Sequence, residues 1–344
     1  MKAILLIPEN GSQFHIGERE LDDTSDILHS DTLFSALANV YEMALSGAAT
    51  IIGLMKSGKL RFSSGFYAVQ YNSQKLFFLP KPSVEYAGTT DQKKLKQVKY
   101  LSLGVWKRFL ETFDYQNPKK PLSALDLLDM PSIGKEFVYT EDELTGLDEA
   151  LDHKVFRLQQ TTPKVKVHTT DKEDCLYHET TVQFTQIQLN SGTVCGAFYF
   201  FLEYDALTFD ERTEFMAALR IMADEGVGGQ RSSGRGQFAS VELVEVDLPS
   251  CQTPAFYFGL SLISPVNDDE FHNGLHSYEL MLRGGGSLGK MGLPGQHRQQ
   301  ARFVREGALL SQNINGQFVD VSPKHDDTNL RNGFNFAIPI GTPV

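Results

Sequence analysis

Cysteine is scarce in this chain. Cys175, Cys195 and Cys251 are the only three in 344 residues, an odd number at wide spacing, which argues against a disulfide framework and fits a reducing compartment. Long apolar runs are missing as well. No stretch of about 20 hydrophobic residues is present to cross a bilayer, and the opening MKAILLIPEN meets Pro8 and Glu9 too early to form the core of a secretory signal. The expected location is the cytoplasm, with no membrane partner. Positive charge is also short: 32 Lys and Arg against 43 Asp and Glu give a net charge of −11, unlike the basic surface usual for a free-standing binder of arbitrary nucleic acid. There is no low-complexity tract and no short-period repeat. The remaining composition, 41% hydrophobic and 22% charged, is that of an ordinary globular protein, and the length suits about two domains.

What the chain has in excess is local. Residues 226–238, GVGGQRSSGRGQF, crowd glycines, serines and two arginines into one loop after a predicted helix. Glycine permits positive φ and lets a backbone come close to phosphate. Gly228 and Gly229, the Ser232 and Ser233 hydroxyls and the Arg231 and Arg235 guanidinium groups together make a donor-rich loop. The ligand this composition points to is a nucleic-acid backbone. A mobile linker is the plain alternative, but strand formers flank the segment and a linker needs no paired arginines. Charge is segregated too: between 283 and 305 the cations Arg283, Lys290, Arg298, Arg302 and Arg305 occur with no acidic residue among them. A second basic stretch holds Lys93, Lys94, Lys96, Lys99, Lys107 and Arg108, and an acidic one follows over 126–152. Such a distribution suits one or two RNA-facing patches on a protein whose other surfaces meet protein partners, although any one charge run can equally be a solvated face.

Periodicity predicts the elements. Residues 2–7 read as an apolar strand, and 31–46 as an amphipathic helix with Leu33, Phe34, Leu37, Val40, Tyr41 and Ala44 at helical spacing. Residues 66–71 and 75–79 read as a hairpin over an Asn/Ser turn, 210–224 as a helix with Phe215, Leu219 and Met222 on one face, and 238–246 as a strand. Taken in order this is the βαββαβ pattern of the ferredoxin-like fold. A long insertion, about 80–205, is expected between the third strand and the second helix, with its own strands at 181–189 and 197–204. After a proline-bounded break at 249–254, strands at 255–263, 277–282, 302–304 and 334–338 predict a second α+β unit.

Residues 29–37, HSDTLFSAL, fall where a long loop meets the first helix. Ser30 and Asp31 are N-cap candidates, and a helix start offers free N–H groups and a positive dipole end to phosphate. His29 has the chemistry to stack on a base, donate to phosphate or act as a general base. The plainer reading is that Ser30 and Asp31 cap the helix and His29 packs under the loop. Asp31 competes with phosphate for the same N–H groups, so it is expected to be structural. Two other patterns lead nowhere. GGGSLGKM at 284–291 nearly fits a phosphate-binding loop, but Met291 replaces the metal-liganding hydroxyl and Gly292 and Pro294 discourage the following helix. His168, Cys175 and His178 have ligand chemistry without a Cys-x-x-Cys pair, so no metal and no cofactor is expected.

HSDTLFSAL, FFLPKP at 77–82, GVGGQRSSGRGQF and REGALLSQNINGQFVDVSP at 305–323 together resemble the subunit-four family of type III-A CRISPR Csm complexes, within the RAMP superfamily. The resemblance runs from residue 29 to 323. It implies an α+β fold of two ferredoxin-like, RRM-like units, here 1–247 with the long insertion and 248–344. It implies a non-catalytic, guide-RNA-binding subunit in antiviral defence. That subunit holds the repeat-derived 5′ tag of the crRNA, meets target RNA only indirectly, and docks the large polymerase-like subunit to a backbone RAMP subunit. Carried over by position, it places His29, Ser30, Gly228, Gly229, Arg231, Ser232, Ser233 and Arg235 near the tag and reads Arg283, Lys290 and Arg298 as part of a second RNA-facing or interface loop. Residues around 163–178 fall where the family has a protruding segment between guide and target pairing. RAMP proteins also include ribonucleases, so the alternative is a metal-independent repeat-RNA endoribonuclease with His29 as general base. No second histidine is placed beside it by sequence, and such a site needs a paired acid and base.

Overall fold

The computed structural model describes residues 1–16, 24–88, 91–120, 122–123, 125–166, 175–251, 253–285, 298–323 and 329–342. The opening apolar run forms β1, Lys2–Pro8, whose residues Ala3 to Leu6 are fully buried because both edges of the strand are paired. Helix α1, Ser30–Ala44, buries Leu33, Phe34, Leu37, Val40 and Tyr41 of the stripe its spacing predicts, and leaves Ala44 exposed at its last turn. β2, Phe66–Tyr71, and β3, Gln74–Pro80, form the expected hairpin, with Asn72 at φ +52° in the left-handed region that asparagine tolerates. β4 is Gly192–Glu203, α2 is Phe209–Glu225 and β5 is Phe238–Glu245. α2 begins on a complete capping box: the Thr208 hydroxyl accepts from Glu211 N, and the Glu211 carboxylate accepts from Thr208 N.

The main sheet runs β5, β1, β4, β2, β3 and continues into short strands of the insertion, Tyr100–Ser102, Phe137–Val138 and Ser132–Ile133. β5, β1, β4, β2 and β3 are antiparallel to their neighbours. This corrects one expectation. The βαββαβ unit is present, but its third strand is β4, which lies between β1 and β2, while β3 sits outside the unit. The insertion therefore separates the second strand from the third. The reason is in β4 itself: Ala197 to Leu202 are all buried, and an uninterrupted apolar run needs the centre of a sheet covered on both faces.

The expected strand at 181–189 is two strands, Cys175–Phe184 and Ile187–Leu189. The first of these pairs over ten residues with Arg157–Lys166 to make a long hairpin, and its Val182 also pairs with Phe14. The second unit has an antiparallel sheet in the order Leu275–Ser277, Leu309–Leu310, Phe256–Gly259, Ala337–Ile340, beside a ribbon of Leu280–Arg283 and Ala301–Val304. Its one helix among the described residues is Asp268–His272. The hydrophobic core is continuous between the units: Trp106 packs on Phe258 at 4.3 Å, Phe34 on Phe318 at 4.8 Å, and Phe201 stacks on Phe336. No helix among the described residues is long and apolar enough to cross a membrane.

Candidate nucleic-acid interface

The glycine loop is closed mainly by its own backbone. α2 ends at Gly226, φ +85°, and the chain returns to β5 through a ladder in which Val227 N donates to Gly236 O, Gly229 N to His15 O and Gly236 N to Gln13 O at 2.8–3.0 Å. A single 3₁₀ turn, Arg231–Ser233, forms the tip. A Cβ on Gly236 would lie 2.2 Å from Val227 O with φ at +79°, and one on Gly228 would lie 2.4 Å from His15 O. The glycines thus serve close approach of protein to protein, and the amides of Val227, Gly229, Ser233, Gly234 and Gly236 are used within the fold, which reduces the donors expected for phosphate. Gly236→Ala should cost about 1–3 kcal/mol through strain and displacement of Val227. Gly234→Ala, with open space around its Cβ, should cost less. Thermal unfolding of the two variants side by side checks the order.

Side chains remain at the loop surface. Arg231 is half-buried with no ion pair among the described residues, and Ser233 is exposed. Ser232 lies in the same turn. Arg235 turns onto the hairpin, where its Nη1 is 2.9 Å from Glu179 Oε1, while Lys164 Nζ is 2.5 Å from Glu179 Oε2. Burial alone would push the Glu179 carboxyl up, but the hydrogen bond from Lys164 and the Arg235 charge outweigh it and hold it below its ordinary value. His15 joins the same contact: its Nδ1 is 2.9 Å from Thr180 O, and its carbonyl takes the Gly229 amide. The loop, the His15 strand and the base of the long hairpin therefore form one braced surface.

The HSDTL segment lies inside the seam between the two units. His29 is fully buried; its Nδ1 is 2.7 Å from Glu306 Oε1 and its Nε2 is 2.9 Å from Ser25 Oγ. Burial works to lower the His29 pKa, yet the charge and hydrogen bond of Glu306, with Asp31 adding, raise it overall. Burial likewise works to raise Glu306, and His29 with Ser64 brings it down. Ser30 is buried too. It does not cap α1, since the N-cap position is His29 without a side-chain cap; its Oγ instead accepts from Leu262 N across the seam. Asp31 receives Arg283 Nε and Nη2 at 3.0 and 2.8 Å and is also held by Arg331 Nη1. Arg283 is 2% exposed, and burial with the like charge of Arg331 drives its pKa well down.

These placements correct three expectations. His29, Ser30 and Arg283 face the interior, so they present no side-chain surface to a polynucleotide. A general base must reach the 2′-OH, whereas both nitrogens of buried His29 are engaged by Glu306 and Ser25. Asp31 is structural, as expected. Arg298 is half-buried, with its backbone N–H given to Gly285 O, and burial together with Arg331 lowers its pKa. Lys290, the GGGSLGKM segment beyond 285, and His168 lie outside the described residues. Among the described residues no cluster of three metal-ligating side chains occurs. In the second basic stretch, Lys93, Lys94 and Lys96 are exposed, whereas Lys99 closes onto Asp26 at 2.7 Å and Glu136 at 3.1 Å. Sequence reasoning missed Glu179, His15, Glu306 and Arg331. Glu306 opens the REGALL segment, but nothing in its spacing announces a partner 277 residues away.

Residues 252–340 match the family described as the CRISPR Csm4 C-terminal domain. The Csm4 protein of Methanocaldococcus jannaschii is 26% identical, with 95% of this chain and 90% of that protein covered. Among solved structures, a chain of the Csm3–Csm4 subcomplex from the type III-A CRISPR-Cas interference complex superposes with a TM-score of 0.67 at 22% identity, covering 99% of this chain and 100% of that one. A chain of a Csm1–Csm4 cassette in complex with cA4 gives 0.54 at 19% identity, covering 100% and 98%. The fold is shared with a subunit of the type III-A CRISPR-Cas interference complex. Within that class the similarity is to Csm4: residues 252–340 match its C-terminal domain, and the Methanocaldococcus jannaschii protein is similar over nearly the whole length of the chain.

Proposed function

We propose that this chain is the Csm4-type, non-catalytic subunit of a type III-A effector complex, that it holds the repeat-derived 5′ tag of the crRNA, and that it joins the large polymerase-like subunit to the first backbone RAMP subunit. The observation that supports the RNA-binding part is the braced glycine loop beside the long hairpin, with Arg231 half-buried and Ser233 exposed at its tip and Arg235 against Glu179; Gly228, Gly229 and Ser232 are read as further contacts of the same loop. Arg298, and Lys290 by sequence position, provide the second contact region. Relatives crystallised as Csm3–Csm4 and Csm1–Csm4 assemblies support the two protein contacts. Local cations on a protein of net charge −11 fit a subunit that meets RNA inside an assembly and does not bind it indiscriminately.

Single-stranded RNA binding loses affinity with salt in proportion to the number of phosphates neutralised. Arg231→Ala with Arg235→Ala should therefore reduce the slope of log affinity against log salt by about 1.4, about 0.7 for each of two contacts. Titration of the double variant with tag RNA at several salt concentrations is the check. An unchanged slope removes this loop from the RNA interface.

A further inference from the structure

The loop and the hairpin share one buried carboxylate. Glu179 is 1% exposed and lies on the face of the hairpin that also carries Lys164, two residues along the opposite strand from its cross-strand partner Thr162. It touches two cations, Lys164 from the hairpin and Arg235 from the glycine loop. For Arg235, this carboxylate does what a phosphate does: it offers anionic oxygen at contact distance. The contact is also an imperfect one, because Arg235 Nη1 and Glu179 Oε1 are 2.9 Å apart without the alignment of a hydrogen bond. The Arg235 side chain as a whole keeps 15% exposure, although its Nη1 at the contact is covered along with Glu179, so an anion would approach through the rest of the side chain.

The geometry points to Glu179 as a positioning residue with a switching role: without RNA it holds the glycine loop against the hairpin, and an RNA phosphate arriving at Arg235 takes its place, so that filling the loop loosens the hairpin. This rests on the RNA-binding reading above. Lys164 makes the exchange feasible. A buried carboxylate stripped of its only partner is strongly destabilising, but Glu179 keeps Lys164 when Arg235 leaves. The remaining tie, through His15 to Thr180 and Gly229, keeps the loop close enough for the contact to re-form once RNA departs.

The experiment is hydrogen exchange on the full chain, followed in strands Arg157–Lys166 and Cys175–Phe184, with and without single-stranded RNA copying the repeat-derived tag. In the unsubstituted protein, RNA should raise hairpin exchange several-fold. Glu179→Gln should raise it to the same level without RNA, and RNA should then add nothing. Glu179→Gln should also bind the RNA about fivefold tighter, because a competing state has been removed; a residue that only supported the fold would leave affinity unchanged or weaken it. Should Glu179→Gln fail to fold, Arg235→Lys supplies the comparison: it keeps the charge, and RNA should still raise hairpin exchange. RNA that binds with hairpin exchange unchanged or reduced overturns the inference and leaves the RNA-binding reading intact. Absence of RNA binding, or an unchanged salt slope in the Arg231→Ala, Arg235→Ala variant, overturns both.

Discussion

Asp31→Asn is expected to be the most damaging single change in the chain, with a loss of about 3–5 kcal/mol. Asp31 is 2% exposed and is the carboxylate onto which Arg283 and Arg331 both converge, each nearly buried itself. Removing its charge does not remove two interactions so much as leave two guanidinium groups facing each other away from water, with desolvation unpaid and like charges in proximity. Asparagine keeps the shape and part of the hydrogen bonding, so the loss reports charge and not a cavity. The urea midpoint of unfolding measures it. Adding Arg331→Met to Asp31→Asn should recover part of the loss, since one stranded cation is then gone. A single variant within about 0.5 kcal/mol of the parent, the range of ordinary surface substitutions, would show that the cluster does not hold the units together.

Glu306→Gln should cost nearly as much and should do so in a pH-dependent way. The His29 pKa is raised above its ordinary 6.5 by the neighbouring carboxylate, so the stability it contributes is complete below 6.5 and is lost as pH rises through the folded value. The Glu306 pKa is lowered from 4.5, so its contribution is complete above 4.5 and is lost as pH falls through the folded value. Both are in force between 4.5 and 6.5. The difference in unfolding free energy between parent and Glu306→Gln should therefore be greatest at about pH 5.5 and should shrink as the pH is taken well above 6.5. A difference that stays flat from acid to alkaline pH would mean that the pair is not ionised in the folded protein.

The elements that proved legible in the sequence are those whose signal is local. The α1 stripe, the Asn72 hairpin and the apolar face of α2 each declare themselves within a few residues. The place of β4 does not, because a hairpin between adjacent strands is the natural expectation and nothing near residue 66 says that its inner neighbour comes more than a hundred residues later. The candidate site divides the same way. Composition marks the glycine loop, since tight backbone approach requires glycine wherever it is used. Whether the thing approached is RNA or the protein's own His15 strand is a tertiary fact. The HSDTL segment shows the limit most plainly: its residues have the chemistry of a phosphate site, and they are satisfied by Glu306, Arg283 and Arg331, which lie 252 to 300 residues distant from their partners.

The late position of β4 also governs how the chain can be made. During synthesis β1 and β2 emerge early, but the strand that belongs between them is not available until residue 203, and β5, which covers the other edge of β1, follows only at 245. For most of translation the nascent chain therefore carries unpaired apolar strand edges, the kind that recruit strands from other chains. Two contacts that form later still, Arg331 on Asp31 and Ile340 beside Phe256, await residues 331 and 340. Ribosomes spaced along one message would hold several such chains with open edges side by side, so slowing elongation within residues 80–190 should lower the yield of soluble protein more than slowing it after 245.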